Sequence, residues 1–330
     1  MRLLKFIAKC ILAALPFALL IGYTWLNPMG YMDNEYPSWH YVKMVEEGEI
    51  KAGDFDRTCL VLGDSRAMAD IVVKDMGSSY VNLGMGGATP VEMYFTLKHY
   101  IENNGVPSEV MIMFAPFHYS YMDNYKTRTV YFNHLDLIDT FSVFREAKMG
   151  SYEAEREPVD EADISYILSS KLRLPNVYMP ALINSKGMGR KAENEALFKE
   201  QIDNRGHGLY GKEDGCSDLN YEANYTEMKR GREHKVITYY FARLLKLCTD
   251  NDIKTVVLQA PMNEASYRAL HESYVNEYSS YMRQFERDNK NVTFELEIPC
   301  YDNKYFGDSS HLNEKGAGVY TQYILDTYIK

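Results

Sequence analysis

The stretch that decides the fold is Leu60-Val61-Leu62-Gly63-Asp64-Ser65-Arg66-Ala67, in which an apolar run ends at a glycine and two polar residues follow it. The run predicts a buried strand over residues 58–62, and the residues after it predict a helix over 66–76. Ligands of open α/β sheets bind at the carboxyl ends of the strands, so Ser65 lies where chemistry takes place. Asp and Ser also cap helices routinely, and this stretch alone leaves a capping role equally open.

Strand and helix signals alternate in the same way along most of the chain. Before residue 116, the pattern predicts strand 58–62, helix 66–76, strand 80–83, helix 90–103 and strand 109–115. After residue 232, it predicts helix 233–250, strand 254–260, helix 263–288, strand 292–296 and a last helix from residue 313. We therefore expect an α/β fold, a three-layer sandwich in which a mostly parallel sheet is flanked by helices on both faces.

The first 27 residues predict a membrane anchor. Three basic residues precede an apolar run that makes a helix of just over 20 residues, enough to span a hydrocarbon core of ~30 Å. The basic flank favours the cytoplasm, and Tyr23 and Trp25 lie where an outer interfacial belt would be. We expect a single-pass protein of the cell membrane whose C-terminal part is extracytoplasmic. A cleaved signal peptide is the alternative.

The rest of the chain divides into three parts by pattern. Residues 28–56 predict a juxtamembrane connector with a short helix over 39–47, because Pro and Gly interrupt the pattern there. Residues 57–330 predict the globular domain. Within it, residues 116–232 lack the strand and helix rhythm and predict a long, mostly helical insertion. This insertion is either a lid or recognition region over the site, or a structural elaboration with no part in the chemistry.

Composition limits the classes of function. The chain has 330 residues, of which 46% are hydrophobic, and a net charge of −10, which argues against nucleic acid as a partner. The five cysteines show no CxxC or Cys/His spacing, so we expect no metal site and no cofactor. A disulfide among Cys216, Cys248 and Cys300 stays open. The 28 tyrosines would suit contacts with sugar rings or partner proteins.

Two further motifs follow other predicted strands. Asp308 precedes His311 by three residues, just before the last predicted helix, and the pair offers a base and the carboxylate that orients it. Ser65 follows the first strand and His311 the last one, so both reach the same edge of the sheet. The glycine-rich segment 84–87 follows the second strand. It provides N–H groups for an oxyanion hole or is an ordinary tight turn.

In this order, the three motifs resemble the SGNH (GDSL-like) hydrolase family, which has a flavodoxin-like sheet. The family's first block, Gly-Asp-Ser, implies that Ser65 is the nucleophile. Its second block fits residues 82–89 and implies Gly87 as an oxyanion donor, with Asn82 in the same oxyanion or substrate-binding group. Its last block implies that Asp308 and His311 complete the catalytic set. The resemblance leaves the insertion unaccounted for.

One departure from the family pattern concerns the third block, which normally supplies an asparagine as a further oxyanion donor. Here the corresponding stretch is Phe114-Ala115-Pro116-Phe117-His118-Tyr119, without an asparagine. Either His118 replaces that donor, or backbone groups alone form the oxyanion hole. Arg66, beside the nucleophile, either pairs with an anionic substrate or lies on the surface at the start of a helix.

The anchor and the Gly-Asp-Ser-Arg motif together resemble a membrane-anchored branch of this family. Its members work beside membrane-bound O-acyltransferases in O-acetylation of exported polysaccharides or D-alanylation of teichoic acids. The resemblance implies an extracytoplasmic serine acyltransferase or esterase that acts on acyl groups of a cell-envelope glycan, with a membrane-bound O-acyltransferase as partner. The alternative is a non-catalytic scaffolding or glycan-binding component of an envelope assembly.

Overall fold

The computed structural model describes residues 2–51, 58–122, 124–149 and 164–329. The end of the predicted connector and residues 150–163 of the predicted insertion lie outside these ranges. Within them the predicted α/β class is confirmed, with a parallel sheet flanked by helices and an apolar helix at the N-terminus.

The main sheet has five strands among the described residues, and each neighbouring pair is parallel. We number them β1 (Cys59–Gly63), β2 (Tyr80–Gly84), β3 (Glu109–Phe114), β4 (Lys254–Gln259) and β5 (Val292–Phe294), in the spatial order β2-β1-β3-β4-β5. After β1, the chain forms β2 on one side of β1 and then crosses over to form β3 on the other side. This reversal of direction lies at the carboxyl ends of β1 and β3, where open sheets bind ligands.

Alternate residues of the strands face two separate cores. In β1, Leu60 and Leu62 belong to one core, while Cys59 and Val61 belong to the other. Both faces of a parallel sheet must be covered, which explains why β1 to β3 read as continuous apolar runs. The result is the three-layer arrangement that the sequence predicts.

Helices form the outer layers and the insertion. They are α1 (Arg2–Leu26), α2 (Pro28–Tyr31), α3 (Tyr36–Glu46), α4 (Ser65–Asp70), α5 (Val73–Met76), α6 (Pro90–Asn104), α7 (Leu137–Met149), α8 (Ile164–Lys171), α9 (Pro175–Asn184), α10 (Lys191–Asp203), α11 (Arg232–Asp250), α12 (Glu264–Ala269), α13 (Glu272–Asp288) and α14 (Glu314–Tyr328). Single turns of 3₁₀ helix occupy Pro116–Tyr119, Tyr221–Asn224 and Asn303–Tyr305, and a π-helical turn occupies Tyr125–Val130. Two short parallel strands, Met262–Asn263 and Cys300–Tyr301, pair beside the main sheet.

Two predicted helices are each divided in the structure. The predicted helix 66–76 is α4 and α5, separated where Ile71 adopts an extended conformation. The predicted helix 263–288 is α12 and α13, and the His271 side chain caps the second by accepting a hydrogen bond from the Ser273 N–H. Each break is short and has no proline or glycine, so the pattern alone did not separate the helices.

The segment predicted as a connector is largely part of the globular core. Side chains of α3 and the turn before it, among them Tyr31, Trp39 and Val42, are buried in the same core as β1 and β2. The globular unit therefore begins soon after α1 and not near residue 57. Pro28 and Pro37, which suggested an irregular connector, lie in the first turns of α2 and α3, where proline is well tolerated.

All five cysteines are free in the structure. Cys216 and Cys248 are buried in different cores, and Cys300 is exposed. The disulfide that the sequence left open is therefore not formed.

Candidate functional site

Ser65 lies at a sharp turn between β1 and α4. Gly63, the last residue of β1, is level with Gly84 of β2 and Met113 of β3, so three strand ends meet at this edge. A Cβ on Gly63 would lie 1.9 Å from the Met113 carbonyl oxygen, a distance that excludes any side chain there. Asp64 caps α4 by accepting the Arg66 N–H at 2.9 Å. The capping role therefore belongs to Asp64, and the Ser65 hydroxyl is left for another partner.

That partner is His311. The Ser65 Oγ lies 2.8 Å from His311 Nε2, and the Asp308 carboxylate lies 2.8 Å from His311 Nδ1 through its Oδ2. Serine, histidine and aspartate thus form a continuous hydrogen-bonded chain, with the residue types and the order of a catalytic triad. Ser65 and the Asp308–His311 pair, which the sequence placed on two separate loops, are brought together here.

The Asp308 carboxylate is held in its ionised form. Burial by itself raises the pKa of Asp308, but the hydrogen bond and charge of His311 outweigh it and lower the pKa below its ordinary value. The N–H groups of Ser310 and His311 add hydrogen bonds of 2.7 and 2.8 Å to Oδ1. An ionised carboxylate at Nδ1 keeps a proton on that nitrogen, so Nε2 is left to accept the serine proton.

The loop that carries Asp308 and His311 is anchored at both ends. The Gly307 N–H donates to the His311 carbonyl at 2.9 Å, which closes the loop, and the Leu312 N–H donates to Asp70 of α4 at 2.9 Å. Burial raises the pKa of Asp70 well above its ordinary value. Asp70 therefore links the helix that follows Ser65 directly to the loop of His311.

Part of the insertion packs directly on this loop. The Tyr210 ring stacks on the His311 ring, with centroids 4.8 Å apart and an interplanar angle of 18°. The Gly211 backbone touches Gly307 so closely that a Cβ on either residue would lie 2.3 Å from the other's main chain. The insertion is thus in contact with the site. The sequence had left open whether it lies over the site or is a structural elaboration away from the chemistry.

A cavity of about 300 Å³ opens in front of Ser65. Its walls include Gly87 after β2, His118 after β3, and Asn124, Arg128, Tyr221 and Tyr225 of the insertion. A larger cavity of about 760 Å³ is lined by residues of four regions, 34–38, 68–75, 197–212 and 314–318, among them Tyr210, and does not include Ser65. The smaller cavity is the candidate site because it holds the nucleophile.

The glycine-rich loop reaches this cavity at Gly87. Its φ of +73° lies in the left-handed region, which favours glycine. A Cβ on Gly87 would lie 2.2 Å from Asn124 Nδ2, so the Asn124 amide crosses directly over this glycine. Arg128 lies against the same face of the loop and donates to the Gly86 carbonyl at 2.9 Å.

Asn124 and Arg128 are site residues that the sequence reasoning missed. Both lie in the insertion, at the π-helical turn Tyr125–Val130 or just before it, where no strand and helix rhythm marked a position relative to the sheet. No asparagine directly follows β3, and Asn124, further along the chain, lines the cavity. A single sequence gives no sign that this residue reaches the cavity.

Asn82 is not in the cavity. It is fully buried, its Nδ2 donates to the carbonyls of Ala67 and Ile71, and its Oδ1 accepts the Gly84 N–H at 2.9 Å. All of its polar atoms are thus occupied in joining β2 to α4. The structure gives Asn82 a role in positioning the nucleophile's helix rather than in contacting a ligand.

Arg66 lines the cavity but is only 2% exposed, so it is not a surface residue. Its guanidinium donates to Glu222 Oε2 at 2.9 Å, which ties α4 to the 3₁₀ turn at Tyr221–Asn224 of the insertion. Its Nη1 has no partner among the described residues. The ion pair with Glu222 offsets most of the charge that an anionic ligand would otherwise meet.

His118 forms a second aspartate–histidine pair in the same cavity. Its Nδ1 lies 2.8 Å from Asp64 Oδ2, which also accepts the Ala115 N–H at 2.8 Å. Burial raises the pKa of Asp64, but the hydrogen bond and charge of His118 outweigh it, so the net pKa is lowered. Within the described part of the chain, His118 Nε2 is buried without a hydrogen-bond partner. This nitrogen is therefore available to a ligand.

One group of metal-ligand types lies elsewhere, at His99, Asp136 and Asp139, whose ligand atoms are within 4.8 Å of one another. The His99 ring already contacts Asp139 at 2.6 Å and Glu46 at 3.3 Å. Burial alone lowers the pKa of His99, but these two hydrogen bonds outweigh it and raise the pKa to about 9. Both ring nitrogens of His99 are thus engaged by carboxylates, and these contacts join α3, α6 and α7.

Comparison with known protein families finds no matching family model, and comparison with curated proteins finds no matching relative. The chemistry of the site is therefore argued from its geometry.

Proposed function

We propose that the protein is a serine acyltransferase or esterase of the SGNH type, anchored at the outer face of a membrane. The observation that carries the proposal is the hydrogen-bonded chain from Ser65 Oγ to His311 Nε2 at 2.8 Å and from His311 Nδ1 to Asp308. The strand order β2-β1-β3-β4-β5, with Ser65 after β1, supports the resemblance to flavodoxin-like SGNH hydrolases.

In the first half of the reaction, Ser65 Oγ attacks the carbonyl carbon of an acyl ester while His311 Nε2 accepts its proton. The tetrahedral intermediate collapses as His311 returns that proton to the leaving oxygen, which leaves the acyl group on Ser65. In the second half, His311 accepts a proton from a sugar hydroxyl or from water, and the new oxygen attacks the acyl carbon. The Ser65 oxygen then leaves and takes the proton back from His311.

The oxyanion of each tetrahedral intermediate needs hydrogen-bond donors in the cavity. We assign this role to the backbone N–H groups of Ser65 and Gly87 and to the side-chain amide of Asn124, which crosses over Gly87. His118 Nε2, which has no hydrogen-bond partner among the described residues, faces the same cavity and is a further contact for the oxyanion. With these groups, the oxyanion hole does not depend on an asparagine directly after β3.

Aromatic side chains at the cavity support a sugar as the acyl acceptor. Phe117 and Tyr221 pack with ring centroids 5.6 Å apart, and Tyr221 is 66% exposed. Together with Tyr225 they form an apolar wall with polar tips, the kind of surface on which a sugar ring stacks. This arrangement favours a cell-envelope or exported glycan as acceptor, as the resemblance implies.

The retained anchor is supported by contacts at the end of α1. By length and composition, α1 is the one helix among the described residues that could cross a membrane, and a signal sequence would pass the same test. Thr24 is fully buried, its Oγ1 donates to the Arg173 carbonyl at 2.8 Å, and its carbonyl accepts the Tyr31 hydroxyl at 2.8 Å. These contacts would be lost if the apolar helix were removed.

The candidate site lies close to the proposed membrane exit. Glu35 contacts Arg128 Nε at 2.5 Å, and Arg128 in turn holds the glycine-rich loop. Only residues 27–34 separate Glu35 from the end of α1, and an extended chain of that length spans at most about 30 Å. An acyl group delivered by a membrane-bound O-acyltransferase would therefore have a short path to Ser65.

The experiment is turnover of p-nitrophenyl acetate by the full chain in detergent, with and without an oligosaccharide acceptor. We expect a burst of p-nitrophenol equal to the enzyme concentration, which Ser65→Ala abolishes and the neighbouring Ser309→Ala retains. Acyl transfer to the oligosaccharide would identify a transferase, and release of acetate alone an esterase. A turnover rate that Ser65→Ala leaves unchanged would contradict the proposal and favour the non-catalytic alternative.

A further inference from the structure

The segment that follows the undescribed part of the insertion has an unusual charge. Residues 164–192 contain five basic residues and no acidic residue, although the whole chain carries a net charge of −10. The basic residues are Lys171, Arg173, Lys186, Arg190 and Lys191. This part of the chain, which forms α8, α9 and the turns after each, is thus a cationic region on an acidic protein.

The same segment exposes a group of large apolar side chains. Ile164, Leu168 and Leu172 are four residues apart, so they lie on one face of α8 and its continuation. Met179 and Ile183 repeat this spacing on α9, and Ile183 is 66% exposed. We call these five exposed side chains, together with Met188, the α8–α9 surface. Single exposed apolar residues are common, but a group on adjacent helices indicates a contact.

Hydrogen bonds place this surface beside the end of α1. Trp25 Nε1 donates to the Leu172 carbonyl at 3.2 Å, and the Arg173 guanidinium donates to the Trp25 carbonyl at 3.2 Å and lies over the Trp25 ring. On the α9 side, the Tyr23 hydroxyl donates to the Gly187 carbonyl at 2.8 Å. Both turns of the segment are therefore joined to residues 23–25, the level at which α1 would leave the bilayer.

We propose that the α8–α9 surface lies on the bilayer that holds α1 and binds anionic phospholipids there. The exposed apolar side chains would enter the boundary between headgroups and acyl chains, while Lys186, Arg190 and Lys191 contact lipid phosphates. Lys171 and Arg173 instead donate hydrogen bonds to the backbone carbonyls of Leu135 and Trp25. This inference rests on the proposed retention of α1 in the membrane and goes beyond the proposed catalytic activity. It would hold the domain against the membrane through two elements, α1 and the α8–α9 surface.

The test uses the full chain reconstituted into vesicles of phosphatidylcholine and phosphatidylglycerol that contain a phospholipid with a photoactivatable diazirine in its acyl chain. After illumination, mass spectrometry of proteolytic peptides locates the lipid adducts. We expect adducts on α1 and on peptides from 164–190, and fewer on the latter when phosphatidylglycerol is omitted.

Variants separate the α8–α9 surface from other exposed apolar residues. The double variant Leu168→Glu/Ile183→Glu is expected to lower the yield on peptides 164–190 roughly tenfold while leaving α1 labelled, because a carboxylate is disfavoured among acyl chains and near anionic lipid. Val319→Glu, at an exposed apolar position of α14, is the matched control and should leave the yield unchanged. Thermal unfolding of each variant checks that the fold is retained.

Three results would contradict the inference in different ways. Adducts on α1 but not on 164–190 would show that the anchor is retained and that the surface does not contact lipid. An absence of adducts on α1 would contradict the anchor itself. Cross-links in cells from Ile183 to another protein, in place of lipid, would assign the surface to a protein partner and also overturn the inference.

Discussion

Two aspartate–histidine pairs line the same cavity and differ in what faces the second ring nitrogen. Asp308 and His311 lie three residues apart on one loop, and His311 Nε2 contacts the Ser65 hydroxyl. Asp64 and His118 come from the ends of β1 and β3 and are almost fully buried, and His118 Nε2 has no partner among the described residues. Each carboxylate orients its ring through Nδ1.

The comparison shows that the pairing alone does not define a catalytic base. A hydroxyl nucleophile in contact with Nε2 makes His311 the base in the proposed reaction. An Nε2 that faces a cavity makes His118 a group that contacts the reacting ester or its oxyanion. Replacing corresponding members of the two pairs separates these roles.

The largest expected effect is at the histidines. His311→Gln removes the base, and we expect kcat for p-nitrophenyl acetate to fall by ~10⁴–10⁶. His118→Gln keeps a neutral N–H donor that reaches the cavity, and we expect a loss of only about tenfold, with His118→Ala losing ~10²–10³. Equal losses in His311→Gln and His118→Gln would contradict the distinction between the pairs.

Replacing the two aspartates is expected to change different properties, the catalytic rate for Asp308 and the stability of the fold for Asp64. Asp308→Asn should lower kcat by ~10³–10⁴ through the wrong histidine tautomer, with little change in the melting temperature. Asp64→Asn should destabilise the fold by about 1–3 kcal/mol, because Asp64 also caps α4 and accepts the Ala115 N–H. Urea unfolding measures the free energy of unfolding of both variants. A larger destabilisation in Asp308→Asn than in Asp64→Asn would contradict this expectation.

A smaller effect on the reaction is expected at Asn124. Asn124→Ala removes the amide that crosses Gly87, and we expect kcat to fall by ~10²–10³ with KM nearly unchanged, since the donor acts on the oxyanion. Asn133→Ala, in the same insertion but outside the cavity lining, is the control for nonspecific effects on the insertion. A change confined to KM would mean that Asn124 binds the ground state instead.

The smallest effect on the reaction is expected at a third histidine–carboxylate contact, that of His99, which lies outside the cavity and acts on stability. Because Asp139 and Glu46 raise the pKa of His99 to about 9, its charged form stabilises the folded protein. That stabilisation is complete below the unfolded pKa of about 6.5 and is lost as the pH rises through 9, by up to about 3 kcal/mol. Chemical unfolding of the wild type and of His99→Gln between pH 6 and pH 9.5 measures the loss as the part of the pH dependence that the variant removes.

The sequence predicted the sheet and the triad for a physical reason. Buried parallel strands need continuous apolar runs, and polar residues directly after such runs meet at one edge of the sheet. Ser65 follows this rule directly, and Gly87 lies on the loop after β2. His311 reaches the same edge although a short strand and a 3₁₀ turn separate it from β5. Gly87 lines the cavity and has a left-handed φ, a conformation that favours glycine and lets the backbone approach a ligand closely.

The insertion and the region before β1 could not be predicted in the same way. Asn124 and Tyr210 reach the site through irregular backbone, whose course depends on tertiary contacts such as that of Gly211 with Gly307. Asn82 matched a motif by position, but its amide bonds to backbone groups whose nearness only the folded chain shows. The burial of Arg66 likewise depends on Glu222, which is distant in sequence.

The central claim, that Ser65 is an activated nucleophile, is tested most directly by labelling the full chain with a fluorophosphonate and mapping the adduct by mass spectrometry. The account predicts one covalent adduct on Ser65, which Ser65→Ala abolishes and His311→Gln slows by several orders of magnitude. A folded protein that forms no adduct on Ser65, or forms it as fast without His311, would contradict the account.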